Sequence, residues 1–299
     1  MKSLKRITSM FLSLMLVVAL FAACGTEEAA VEAVEEATDA VVEAVEEAMY
    51  PEGIQEIVDR GVLRVGVKNA VVGFGFQDPL TKEFTGLEIE IASKIAETLG
   101  VDTEFTAVTA ATRTELLDAG DIDCVLATFT ITDERKESWD FTTPYYTDFV
   151  TVLVETESGI TTLENLVGKK VGVSSGSTSA RALVTEMIER EFIKGEGFDK
   201  ATFDPATWTE GVTFQQFDDY PTISTALSAG EIDAFSVDKS ILAVYNTESR
   251  SYIDDKFSPQ DYGVATKKDS DFSVLVEELI TAWNADGSIE SMISSNALK

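Results

Sequence analysis

From Gly61 onward, short runs of β-branched and apolar residues alternate with stretches whose apolar positions recur every three or four residues. These are the periods of strands and helices. The pattern predicts strands over residues 62–68, 102–108, 122–128 and 149–154. Between them it predicts helices at Leu87–Leu99, stopped by Gly100, and at Arg113–Ala119, stopped by Gly120. A second series follows, with strands over 170–173, 212–217 and 232–237 and helices from 178 to about 193 and over 222–229. Such βα alternation predicts an α/β fold of parallel sheets covered by helices, with ligands at the carboxyl ends of the strands. The two series also share a phrase: Leu116-Leu-Asp-Ala-Gly-Asp-Ile-Asp123 and Ala226-Leu-Ser-Ala-Gly-Glu-Ile-Asp233 each end a helix on Gly and enter a strand through Ile-Asp. Two similar lobes are the economical explanation.

The run from Ile122 ends in alternating threonines. Period 2 turns Thr128 and Thr130 to one side and Phe129 to the other. Thr132 then caps a helix beginning with Asp133 and Glu134, and Arg135 presents a planar fork of donors one turn on. Two readings stand side by side: an oxyanion grip, or a strand end with an N-cap and a solvated arginine. In the second series Gly176-Ser177-Thr178 follows a strand and opens a helix, which is either an added set of donors or an ordinary N-cap turn. Asp238 ends the strand over 232–237 and places a carboxylate at its edge, or caps the helix that Lys239 begins.

The first residues read differently from the rest. Lys2, Lys5 and Arg6, an apolar run from Met10 to Phe21, and Ala22-Ala23-Cys24 describe an export signal over 1–23, the run being too short to span a membrane. Ala-Ala-Cys-Gly resembles a lipobox, so Cys24 is expected to be the lipidated first residue of the mature chain and to anchor it to the membrane. Phe21 stands where that pattern has leucine. Residues 24–49 form an acidic tether, with nine carboxylates and no base between 26 and 48. Its repeat of Val-Glu-Ala-Val-Glu-Glu-Ala suits a partly helical spacer better than a coiled coil. Cys124, the remaining thiol, is expected in the core, without a disulfide.

The chain carries −30 overall, and the 44 acids and 20 bases from residue 50 onward leave −24 on the folded part. That surface repels nucleic acid, and any anionic ligand needs a local cluster of positive charge. There is no histidine, which excludes serine–histidine triads and imidazole metal sites. No cofactor or metal is expected.

Six ordered blocks, Gly61-Val-Leu-Arg-Val-Gly-Val67, Thr128 to Arg135, Asp140-Phe-Thr-Thr-Pro-Tyr-Tyr146, Leu163 to Val173, Gly230 to Asp238 and Tyr262-Gly-Val-Ala265, resemble the extracellular solute-binding proteins, family 3, that serve polar amino acid ABC transporters. The resemblance covers residues 54 to about 290. It implies a two-lobed, type II periplasmic-binding-protein-like fold, each lobe a mostly parallel sheet flanked by helices. Lobe 1 would take 50–149 and 261–299, lobe 2 150–260, with crossings near 149–152 and 261–264. Thr128, Thr130, Arg135 and Thr178 match the family's carboxylate-binding positions, and Asp238 its amine-binding aspartate.

The block Thr109-Ala-Ala-Thr-Arg-Thr-Glu-Leu-Leu117 together with Ser236-Val-Asp-Lys-Ser240 is similar to the aspartate/glutamate-binding branch. There the positions of Lys68 and Arg113 hold the ligand's second carboxylate, and that of Tyr220 lies at the cleft. Val71 stands where many relatives have an aromatic residue, which speaks against a large apolar ligand. The resemblance thus implies a monomeric, lipid-anchored receptor that closes on glutamate or aspartate and delivers it to an ABC permease. Glutamine or cystine are alternative ligands. A second class, an exported enzyme similar to cyclohexadienyl dehydratase, would need a cleft acid, for which Glu115 and Asp148 are the candidates. Residues 190–212 depart from the family pattern and read as a surface loop.

Overall fold

The computed structural model describes residues 50–298; the predicted signal segment, Cys24 and the acidic tether lie outside the described residues. Helix α1 (Glu52–Arg60) ends on Gly61 in the left-handed region, whose N–H donates to Ile57 and Val58 carbonyls. No helix among the described residues is long and apolar enough to cross a membrane.

From Val62 the chain builds two sheets. The first takes β1 (Val62–Val67) and, after a small meander of β2 (Ala70–Val71), β3 (Gly75–Gln77) and β4 (Phe84–Thr85), helix α2 (Leu87–Leu99) and strand β5 (Asp102–Ala107). Helix α3 (Arg113–Ala119), strand β6 (Cys124–Leu126), helix α4 (Asp133–Ser138) and strand β7 (Trp139–Phe141) complete this part. The second sheet takes β8 (Tyr146–Glu155), β9 (Lys170–Ser174), helix α5 (Ser179–Glu189), β10 (Thr213–Phe217), helix α6 (Tyr220–Ser228), β11 (Ala234–Asp238), helix α7 (Lys239–Leu242), β12 (Arg250–Tyr252) and β13 (Phe257–Tyr262). Strand β14 (Ala265–Lys267) then returns to the first sheet, and helices α8 (Asp271–Ala285) and α9 (Ser288–Ser295) follow.

The sheet orders are β5-β1-β6-β14-β7 and β10-β9-β11-β8-β12, with β13 paired to β8. Only the triplets β5-β1-β6 and β10-β9-β11 are parallel; β14, β7, β8, β12 and β13 all pair antiparallel. The sheets are therefore mixed, less parallel than the βα alternation predicts, because the strands that carry the chain between sheets run against their neighbours. The chain leaves the first sheet between Phe141 and Tyr146 and returns between Tyr262 and Ala265, with β8 and β13 paired side by side.

The repeated phrase has the same physical job in both sheets. A Cβ on Gly66 of β1 would lie 2.6 Å from the Ile122 methyl, and one on Gly172 of β9 would lie 2.4 Å from that of Ile232. Each Ile thus packs straight onto a strand that glycine keeps bare. Asp123 Oδ2 accepts the Arg64 N–H at 2.8 Å, and Asp233 Oδ2 accepts the Lys170 N–H at 2.8 Å, pinning the neighbouring parallel strand in register. Cys124 is buried in the first sheet, as expected of a small core residue.

Two local expectations change. The strand over 122–128 is only Cys124–Leu126, because Thr128 turns into the left-handed region at φ +45°. The helix from 178 ends at Glu189, not near 193. The 190–212 segment is a loop, as expected, and its Phe198, Phe203 and Trp208 pack on one another and against the core of the second sheet, where Phe203 meets Phe214. The Glu210 carboxylate gathers three of its backbone N–H groups, those of Lys194, Gly195 and Glu196.

Candidate functional site

Lys68 lies just past β1, Arg113 and Tyr220 open α3 and α6, Asp238 is the last residue of β11, Thr178 immediately precedes α5, Thr128 and Thr130 lie between β6 and α4, and Arg135 is the third residue of α4. Lys68 follows β1 and Arg113 opens α3; they are 4% and 3% exposed, so neither is the solvated surface charge that such residues usually are. The Arg113 guanidinium lies 3.8 Å above the Phe129 ring and donates through Nη1 to the Ala127 carbonyl at 2.9 Å, while its Nε is buried with no hydrogen-bond partner. Burial lowers the Arg113 pKa to about 10 and, with Arg113 nearby, holds Lys68 well below the usual lysine range. The Lys68 ammonium lies 5.3 Å from the centroid of Tyr220, the first residue of α6. Burial, then the charge of Asp238, pushes the Tyr220 phenol upward.

The threonines divide their work differently from the period-2 expectation. The left-handed turn at Thr128 breaks the alternation: its hydroxyl donates to the Ala127 carbonyl, whereas Thr130 Oγ1 donates to Gln260 Oε1 at 2.9 Å. Thr178, from the other lobe, donates to the same Gln260 oxygen at 2.8 Å. The two hydroxyls that converge are therefore Thr130 and Thr178, one from each lobe, and not Thr128 and Thr130. Thr132 caps α4 as predicted, accepting the Arg135 N–H at 3.2 Å. The half-buried Arg135 reaches both ways: Nη1 donates to the Thr130 carbonyl at 2.7 Å and Nη2 to the Gly176 carbonyl of the second lobe at 3.1 Å. Its guanidinium lies 4.6 Å from the Phe129 centroid, so one aromatic ring carries both arginines.

Asp238 ends β11 and is 4% exposed. It does not cap α7; Asp148 of β8 accepts the Ser240 N–H instead, at 3.0 Å. One Asp238 oxygen accepts the Tyr262 hydroxyl at 2.5 Å, and the other, Oδ1, is buried with no partner. Burial and then the neighbouring Asp148 charge raise the Asp238 pKa to about 7.

Several participants escaped the sequence reading. Glu88, fully buried at the start of α2, accepts the Thr128 N–H at 2.5 Å and the Tyr145 hydroxyl at 2.6 Å through Oε1. Its signal was present: Glu88 lies three, four and seven residues before Ile91, Ala92 and Ile95, on the apolar stripe of the helix. Gln260, Tyr262 and Phe129 had no comparable signal, because nothing in a β13 or loop sequence reveals which hydroxyls will meet it. Glu115 is exposed on α3 and takes no part.

The lobes touch around these residues. Arg181 of α5 pairs with Glu134 of α4 at 2.8 Å, and the Gly176 backbone abuts Ala110 and Ala111 so closely that a Cβ there would meet the Ala110 carbonyl at 2.8 Å. Beside Lys68 and Tyr220 remains a cavity of about 30 Å³, the volume of a single water. At the seam beside Arg135, Gly176 and Thr178 there is a larger groove, of about 250 Å³.

Comparison with known proteins agrees with this architecture. The chain is 31% identical over 282 residues to the ABC transporter glutamine-binding protein GlnH of Bacillus subtilis, covering 92% of this chain and 90% of that one. It is 30% identical over 245 residues to the L-cystine-binding protein TcyJ of Escherichia coli K12, covering 80% and 84%. Among solved structures, the ancestral amino acid-binding protein AncCDT-1, a precursor of cyclohexadienyl dehydratase, superposes with a TM-score of 0.65 at 27% identity, covering 81% of this chain and 98% of that chain. The family of bacterial extracellular solute-binding proteins, family 3, matches residues 63–295, and this chain belongs to it.

Proposed function

We propose that this protein is the amino acid receptor of an ABC importer and that its ligand is acidic, glutamate or aspartate. The observation that carries the acidic reading is the burial of both Lys68 and Arg113 at strand ends of one lobe in a domain of strongly negative charge. Two desolvated cations persist only where anions compensate them, and a ligand carboxylate suits Arg113 Nε, which has no partner. The α-carboxylate goes to Arg135 with the hydroxyls of Thr130 and Thr178, which turn from the Gln260 oxygen to the ligand. The α-ammonium goes to Asp238, whose Oδ1 is the open acceptor. A ligand held by both lobes favours the closed form by its differential contacts, and closure is what a permease reads. Lipidation at Cys24 would hold the receptor beside that permease on the extracytoplasmic face and raise its effective concentration.

One observation favours a second reading, glutamine: Glu88 is a resident carboxylate beside the same two cations, and the relative GlnH is named for glutamine. The enzyme alternative is less supported: Glu115 is exposed, Asp148, though buried, is engaged by the Ser240 N–H and the Tyr262 hydroxyl, and the matched relatives are named as binding proteins. Titration calorimetry against glutamate, aspartate, glutamine, cystine and arginine tests the proposal. Binding of glutamate or aspartate at least about tenfold tighter than glutamine supports it, at about 1.4 kcal/mol per factor of ten; equal or tighter glutamine binding refutes the acidic assignment. Turnover of prephenate or arogenate would refute the receptor class.

A further inference from the structure

Gln260 stands where the two lobes meet. It lies on β13, the strand that carries the chain back to the first sheet, two residues before Tyr262, and is 3% exposed. Its amide has one acceptable orientation. Nε2 faces three acceptors, the Ser258 carbonyl at 2.9 Å, the Ser258 hydroxyl at 3.1 Å and the Pro259 carbonyl at 3.2 Å. These belong to the bulge where β13 slips its register against β8 and Ser258 turns into the left-handed region at φ +46°. An oxygen placed there would confront two carbonyls, so Oε1 points the other way, to the hydroxyls of Thr130 and Thr178. Each hydroxyl has one proton and donates it to this oxygen, leaving none for a ligand. Arg135 differs, because its guanidinium bonds the Thr130 and Gly176 carbonyls and keeps other N–H groups in hand. One acceptor taking a hydroxyl from each lobe is what a carboxylate oxygen in the cleft would be.

We propose that Gln260 is the internal occupant of the α-carboxylate subsite: its amide oxygen takes both hydroxyl donors in the empty receptor, helps to hold the lobes together without ligand, and yields the donors when an amino acid arrives. This rests on the reading of Thr130 and Thr178 as carboxylate donors and is independent of the ligand's side chain. Two hydroxyls share one atom only while their lobes are together, so the contact stabilises the closed form and is lost from the open one. The empty closed form then competes with ligand, because the same two protons cannot serve both acceptors. In the liganded form the buried Gln260 oxygen loses its donors, which ligand contacts must outweigh. Gln260 is thus a positioning residue: it keeps the donors of the two lobes converged and lowers the affinity in doing so.

Gln260→Met keeps the side-chain length and removes the acceptor. Small-angle X-ray scattering should give the empty variant a larger radius of gyration than the empty unchanged protein, and the two should become equal with saturating L-glutamate or L-glutamine. Calorimetry with the same two amino acids should show the variant binding about two- to tenfold more tightly, the range of one hydrogen bond's net contribution. Gln260→Glu keeps an acceptor and sets a negative charge beside the α-carboxylate, so it should bind both at least about tenfold more weakly. Replacing a merely structural residue would weaken binding; unchanged or weaker binding by Gln260→Met therefore overturns the inference. So does an empty variant no more open than the unchanged protein. Should Gln260→Met not fold, crystals of the unchanged protein decide. Grown without amino acid they must show Thr130 and Thr178 on the Gln260 oxygen, and grown with L-glutamate or L-glutamine they must show both hydroxyls on the ligand; hydroxyls that stay on Gln260 beside a bound ligand overturn the inference. An unchanged protein that gives no heat with any amino acid overturns the receptor reading itself, a different outcome from binding that Gln260→Met leaves as it was.

Discussion

Where β6 enters the first sheet, Asp123 holds the Arg64 N–H and Ile122 covers Gly66; where β11 enters the second, Asp233 holds the Lys170 N–H and Ile232 covers Gly172. At the carboxyl ends of the same sheets the likeness stops. The first lobe presents Lys68, Arg113 and Arg135, three cations, with Glu88 beneath them; the second presents Asp238, Tyr220 and the Thr178 hydroxyl. The shared ends make the scaffold and the unlike ends make the site. On the proposed function, one lobe is basic and the other acidic, so a zwitterion would satisfy both only when the lobes meet, coupling recognition to closure.

The sharpest way to break this asymmetry is to remove the second lobe's acid. Asp238→Ala should cost about 3 kcal/mol or more, on the order of a hundredfold or more in Kd, for every amino acid tested by calorimetry, because the ligand ammonium is then buried without a partner. Stripping one cation from the first lobe should discriminate instead. Lys68→Met or Arg113→Gln is expected to weaken glutamate by about tenfold to a hundredfold, the loss of one charge-assisted hydrogen bond, while glutamine changes little. At the shared ends the effect should fall on stability alone. Asp123→Asn and Asp233→Asn should each lower the unfolding free energy by about 1–2 kcal/mol in urea melts, more for Asp123, which also pairs with the Arg64 guanidinium at 2.7 Å. Ligand affinity should be unchanged in both. The smallest effect belongs to the pair across the cleft rim: Glu134→Gln should cost less than about 1 kcal/mol, seen as a slightly faster ligand release, because the Glu134 side chain is 50% exposed.

Much of this was legible in the sequence, and what was not has a physical cause. The helices Leu87–Leu99 and Arg113–Ala119 fall where periodicity and terminal glycines put them, because Gly100 and Gly120 adopt the left-handed conformation that ends a helix. The Ile-Asp repeat was legible because the same short phrase makes the same contacts in both sheets, although each partner strand lies far away in sequence. The antiparallel halves of the sheets were missed, since pairing direction depends on partners far away in sequence. Thr128 adopts a left-handed turn that its own preference disfavours, and its N–H there meets the Glu88 carboxylate 40 residues away, a partner that period-2 geometry does not include. Local pattern singled out residues that the fold brings near one another; it did not single out Glu88 or Gln260, which contact them through long-range hydrogen bonds.

The most direct measurement is a crystal structure of the protein grown with L-glutamate. The account predicts the ligand ammonium on Asp238, its α-carboxylate on Arg135, and its side-chain carboxylate within hydrogen-bonding distance of both Lys68 and Arg113. A ligand whose side chain lies away from Lys68 and Arg113, or whose ammonium is held by a group other than Asp238, would contradict it.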